Sequence, residues 1–113
     1  MTITNLRHNP RLSQFVPTPI TGEIKTCREL LPELPGVFGF YLDEVPLKES
    51  PSSVVVERVS DSTVFTEISG GSLGSLQFYV DYNNPQFSGR GLVELPSSED
   101  GNDFECSYMG LGT

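Results

Sequence analysis

The chain has 113 residues, 36% of them hydrophobic, and a formal net charge of −8 at pH 7; that is one domain with a modest core and no room for a separate catalytic platform. The charge is uneven, +3 over residues 1–28 and −11 over the rest, and an acidic body repels phosphates, which argues against nucleic acid as a partner. Residues 1–6 lack the apolar run of a signal peptide and no stretch approaches a membrane span, so no membrane partner is expected either.

In chain order, residues 1–22 come first, with Pro10, Pro17 and Pro19. Proline lacks an amide donor and restricts the residue before it, so this arm is expected to run extended, outside any continuous helix or central strand. It has too few apolar side chains to fold on itself, and its ordering entropy must be offset by contacts elsewhere. Leu6, Leu12, Phe15, Val16 and Ile20 are the side chains expected to bury apolar area on a neighbouring chain, with Arg7 and Arg11 meeting acidic groups. Thr26-Cys27-Arg28-Glu29 then has the spacing of a capping box and predicts a short helix carrying Leu30 and Leu31, stopped by Pro32.

After Pro35-Gly36 the pattern is β, and residues 23–113 read as one domain. Strands are expected over 37–45, 53–60 and 63–69, with a flexible Gly/Ser connection at 70–75. Three more follow over 76–82, 91–95 and 104–108, the first with Leu76, Phe78, Val80 and Tyr82 on one face and Gln77 and Asp81 on the other. About six strands at short spacing predict an all-β fold, a small antiparallel sandwich or barrel. The inward register predicts a core of Phe38, Phe40, Leu42, Phe78, Val80, Tyr82, Phe104, Cys106 and Tyr108. Cys106 falls on that register as a buried thiol acting as a small hydrophobe, and with Cys27 makes too few cysteines for a disulfide scaffold.

Candidate chemistry is sparse. His8 is the sole histidine and lies in the arm, without the packing a catalytic imidazole needs. The acidic run 99–105 offers the hard oxygens calcium prefers, yet its spacing fails the EF-hand pattern, and a solvated hairpin turn accounts for the same residues. Asp43-Glu44 cannot flank one glycosidic bond, since adjacent strand residues point to opposite faces. Gly89-Arg90-Gly91 and Gly110-Leu111-Gly112 precede no helix and are read as a bulge and a chain exit rather than phosphate loops. These features predict no catalytic residue, no metal, no cofactor and no enzyme activity. Tyr41 and Tyr79 offer faces for stacking on a sugar ring, which leaves a carbohydrate-binding module on a virion or cell surface as the alternative, although the chain has no tryptophan and two out-facing tyrosines on a sheet are ordinary cross-strand packing.

The body, residues 34–113, resembles a small β-module of tailed-bacteriophage structural proteins, especially the one near the start of tail fibres and related tail or baseplate proteins. The matching pieces are Gly39-Phe40-Tyr41-Leu42 followed by Pro46, then Phe65-Thr66-Glu67-Ile68, Phe78-Tyr79-Val80-Asp81-Tyr82 and Gly91-Leu92-Val93-Glu94, and the ending Ser107-Tyr108-Met109-Gly110-Leu111-Gly112-Thr113. The resemblance implies a structural protein of the virion tail region, made in the host cytoplasm, that assembles with other virion proteins and with copies of itself. In such proteins the ending leads into the next part of the fibre, so Leu111 joins the arm residues as an expected assembly contact. Here the sequence ends at Thr113, and the expectation is either a free-standing adaptor or a polypeptide whose remaining domains are on other chains.

Overall fold

The structure, a computed structural model, describes residues 17–82 and 90–111. Among these residues there are nine strands: β1 (Thr18–Thr26), β2 (Arg28–Leu30), β3 (Leu34–Tyr41), β4 (Val55–Arg58), β5 (Thr63–Val64), β6 (Thr66–Ile68), β7 (Gln77–Asp81), β8 (Leu92–Leu95) and β9 (Asp103–Gly110). They form a four-stranded sheet in the order β1-β9-β4-β5 and a five-stranded sheet in the order β2-β3-β8-β7-β6. The expected β-sandwich is therefore present, antiparallel throughout except for the parallel pair β6–β7.

Period-two burial makes the sandwich. Along β9, Phe104, Cys106 and Tyr108 point inward and are buried, while Asp103 and Glu105 point out. Phe40 and Leu42 from the β3 end, Phe78 and Val80 from β7, Val93 and Leu95 from β8 and Val56 from β4 complete the interior. Phe65 packs edge-on to Phe104 with ring centroids 5.3 Å apart, the arrangement favoured by the ring quadrupoles. Of the nine expected core residues, seven are buried; Phe38 and Tyr82 are half-buried and pack against the cluster.

Two connections pass between the sheets through a single residue. Thr26 ends β1 in one sheet and Arg28 begins β2 in the other, with Cys27 between them, fully buried. The amide of Cys27 donates to the Asn102 carbonyl (2.9 Å) and its carbonyl accepts from Gly101 N–H (2.8 Å). Phe65 plays the same part between β5 and β6: its amide donates to Val56 O in the four-stranded sheet, and the next amide, Thr66, donates to Leu76 O beside the five-stranded one. Residues 63–69, expected as one strand, are thus two short strands in different sheets.

Other expectations are corrected. The helix predicted from Thr26 does not form. Thr26 Oγ1 donates to Asp103 Oδ1 (2.6 Å) instead of capping a helix, and Glu29 Oε2 accepts from the Gly36 amide across the β2–β3 hairpin (3.0 Å). Sheet pairing supplies these groups with partners that a one-turn helix ending at Pro32 could not match. The one helical element described is a 3-10 turn at Ser97–Glu99. Residues 18–22, read as the end of the arm, form the first part of β1. They are extended as expected but bonded to β9, and Pro19 is tolerated because β1 lies at a sheet edge. Leu76, placed inward by alternation, is exposed and has φ +61°, because it belongs to the turn before β7.

Candidate functional site

Three regions gather functional groups. The first is the outer face of the four-stranded sheet. Register places Ile24, Glu105, Glu57 and Val64 in one row across β1, β9, β4 and β5. Val55 and Val59 lie on the same outward parity of β4 and its exit, the Val59 amide donating to Asp103 O (3.0 Å). Ile24, Val55, Val59 and Val64 are 45–58% exposed. Acids are interleaved with these aliphatics, Glu105 and Glu57 standing between Ile24 and Val64. Glu57 and Glu105 are direct cross-strand neighbours, an arrangement in which like charges cost stability.

The second region is a cleft of about 310 Å³ where the 48–52 loop meets β6, β7 and Tyr82. A hydrogen-bond chain lines it. The Val54 amide donates to Ser52 Oγ (3.1 Å), Ser52 Oγ lies 3.2 Å from the Tyr82 hydroxyl, and Tyr82 O–H donates to Glu67 Oε2 (2.7 Å). The phenol's single proton goes to the carboxylate, so the Ser52 hydroxyl donates to Tyr82, and such chains polarise cooperatively. Burial, reinforced by the Glu67 carboxylate, pushes the Tyr82 phenol up to about 12. Lys48 Nζ stands 5.8 Å from the Tyr82 ring centroid, and Tyr79 and Asp81 complete the wall. Glu67 Oε1 is buried without a hydrogen-bond partner among the described residues. What the cleft offers a ligand is acceptor oxygens beside aromatic faces.

The third region is the acidic run. It is not a solvated hairpin: the connection from β8 to β9 crosses between the sheets, and Glu99 is buried. Arg58 Nη1 donates to both Glu99 oxygens at 2.9 Å, while its Nε and Nη2 grip Asp61 at 3.1 and 2.8 Å. Asn102 Nδ2 donates to Glu99 Oε1 as well (2.9 Å). Hydrogen bonds from Arg58 and Thr63 hold the Asp61 carboxyl well below the usual carboxylate range. Among the described residues no group of three His, Cys, Asp or Glu side chains is placed to hold a metal ion. Arg58 also lies 5.4 Å from the Phe65 ring centroid, so one guanidinium ties the crossover to the core.

The expected assembly residues divide. Leu6, Arg7, Arg11, Leu12, Phe15 and Val16, together with His8, lie outside the described residues. Ile20 is half-buried against the core of its own chain, and the Leu111 amide donates to Val45 O (2.8 Å) beyond the end of β9. Tyr79 is in the cleft, whereas Tyr41 sits on another part of the five-stranded sheet under Arg90, whose guanidinium carbon is 5.6 Å from the ring centroid. Asp43 pairs with Lys25 Nζ (2.6 Å), and Glu44 N–H donates to the Tyr108 hydroxyl (3.3 Å). Tyr108 in turn donates to Glu23 Oε1 (2.6 Å), and burial, then that bond, raises its phenol far above its ordinary value.

Sequence reasoning missed the Glu67–Tyr82–Ser52 chain and the Arg58–Glu99 pair because their members lie 15 to 41 residues apart. A signal did exist. Glu67 shares the inward parity of Phe65, and a carboxylate on an apolar register requires a partner. Comparison with known families, with curated proteins and with solved structures returns no match.

Proposed function

We propose that the chain is a structural protein of a tailed-phage virion, working in the tail, baseplate or fibre attachment by protein–protein assembly. The observation that carries this reading is the outer face of the four-stranded sheet, where Ile24, Val55, Val59 and Val64 stand exposed around the facing Glu57 and Glu105. Both features gain from being covered: the aliphatic side chains by leaving water, the paired carboxylates by receiving a cation. The resemblance of residues 34–113 to the tail-fibre β-module supports the same role. Mass spectrometry of gradient-purified phage particles, with immunogold labelling to locate the chain, tests it; the chain belongs in the particle at the tail, and its absence from purified particles refutes the reading.

A second reading has one observation in its favour. The cleft places Tyr79, Tyr82, Glu67, Asp81 and Ser52 around a space of about 310 Å³, a set that suits a polyhydroxylated ring. A glycan array on the purified chain decides it, with Tyr79→Ala as the control that abolishes genuine binding at the cleft.

A further inference from the structure

The outer face of the four-stranded sheet has a composition that fits one occupant encoded in the same chain. Across it, the outward side chains include Ile24, Val55, Val59 and Val64 with three acids, Glu57, Asp103 and Glu105. The basic residues of the adjoining strands are committed elsewhere: Lys25 to Asp43 and Arg58 to Glu99 and Asp61. Residues 1–16 have the opposite character, with Arg7 and Arg11, no acidic residue, and Ile3, Leu6, Leu12, Phe15 and Val16 as apolar side chains.

We propose that residues 1–16 of a second copy of this chain lie across that face, with their apolar side chains on the exposed aliphatics and Arg7 and Arg11 among Glu57, Glu105 and Asp103. This rests on the assembly reading above and names its partner. Glu57 and Glu105 are opposed on adjacent strands, so an arginine laid between them replaces a repulsion with two attractions, and does so where the surrounding aliphatics displace water. Pro17 leads into β1, whose first residue Thr18 pairs with Gly110. Exchange of two such arms is reciprocal and closes a two-fold dimer.

Sedimentation of the full chain over a concentration series at low and high salt tests this. The expected result is reversible self-association that weakens with salt. Arg7→Glu with Arg11→Glu should weaken it about tenfold or more, as should Glu57→Arg with Glu105→Arg, and the four changes together should restore it. Glu105 is exposed and Glu57 half-buried on the outer face, and circular dichroism of each variant checks that the fold is retained. A chain that stays monomeric at all concentrations, or association untouched by both reversals, overturns the inference. Recovery of thermal stability in the fourfold variant without association would also overturn it, by placing the arm on its own sheet. Presence in purified particles is a separate readout. A monomer found in the particle sinks this inference alone, whereas a charge-dependent dimer absent from the particle sinks only the virion reading.

Discussion

The two sheets of the sandwich solve the problem of their outer faces differently. On the five-stranded sheet the outward register is largely occupied: Arg90 lies over Tyr41, Leu92 faces outward between Tyr41 and Asp81 and is nonetheless buried, and Tyr79 stands opposite Glu94. Burial, with the Asp81 charge, raises the Glu94 carboxyl pKa above its ordinary value. The four-stranded sheet keeps its polar partnerships on the inside and at its margins, with Tyr108–Glu23 and Arg58–Glu99, and leaves aliphatics and the facing carboxylates Glu57 and Glu105 outside. A face that is dry within its own chain contributes to folding; a face that would be dry only in company contributes to assembly. The two sheets should therefore respond differently to substitution.

The sharpest way to break the five-stranded sheet is Gly39→Ala. Gly39 has φ +154°, and a Cβ there would overlap the backbone carbonyl of Val93 on the neighbouring strand. Backbone cannot step aside, so the variant should fail to give a cooperative unfolding transition. Gly36→Ala is the control. Its φ is +82° with nothing within 4 Å, so it should cost only the left-handed conformation, about 1–2 kcal/mol in urea titration.

Next in size is Phe104→Ala. This ring is fully buried between Phe40 and Phe65, and its loss should destabilise the domain by about 3–5 kcal/mol. Phe78→Ala from the opposite sheet should match it, because both rings belong to one core. A third variant, Glu99→Ala, leaves the partly buried Arg58 with Asp61 alone and should lower the thermal midpoint by clearly more than Asp43→Ala does. The Asp43 carboxylate is 64% exposed, and solvent screens its pairing with Lys25.

Alkali provides a smaller, graded test. Burial, first, pushes the Cys27 thiol up to about 11 and Cys106 to about 12, from 9.0, and Tyr82 to about 12 from 10.0. The unfolded chain loses these protons more easily, so the stability they contribute is complete below about pH 9 and disappears as pH rises through their folded values. Thermal melts should decline from pH 9 upward, and both thiols should react with a thiol reagent only on unfolding. The smallest expected change in stability is Val64→Ser, within about 0.5 kcal/mol of the parent. Its effect should appear in self-association, which separates the proposed docking face from the core.

Much of the fold was legible because alternation is a local signal. β4, β7 and β8 fall within expected segments, β3 and β9 overlap theirs and run beyond them, and Phe104, Cys106 and Tyr108 on β9 are inward as their spacing requires. The misreadings share a cause: residues whose partners are remote. Thr26 and Glu29 match a capping box, but Asp103 and Gly36 claim their side chains. Residues 63–69 look continuous, yet Phe65 and Thr66 bond to different sheets. The cleft was illegible for the same reason, since Ser52, Glu67 and Tyr82 meet only after the sheets are in place. The arm's chemical character could be read directly, whereas the face that suits it depends on the registers of β1, β9, β4 and β5.

The single-residue passages at Cys27 and Phe65 have a mechanical consequence. A domain whose sheets were joined by long loops could open like a book, each leaf retaining its pairing. Here β1 runs into β2, and β5 into β6, with no slack. Pulling the leaves apart would wrench Cys27 from Asn102 and Gly101 at one corner and Phe65 from Val56 at the other. Neither of these two passages has the slack to act as a hinge, and tension applied along β1 is delivered to both sheets at once.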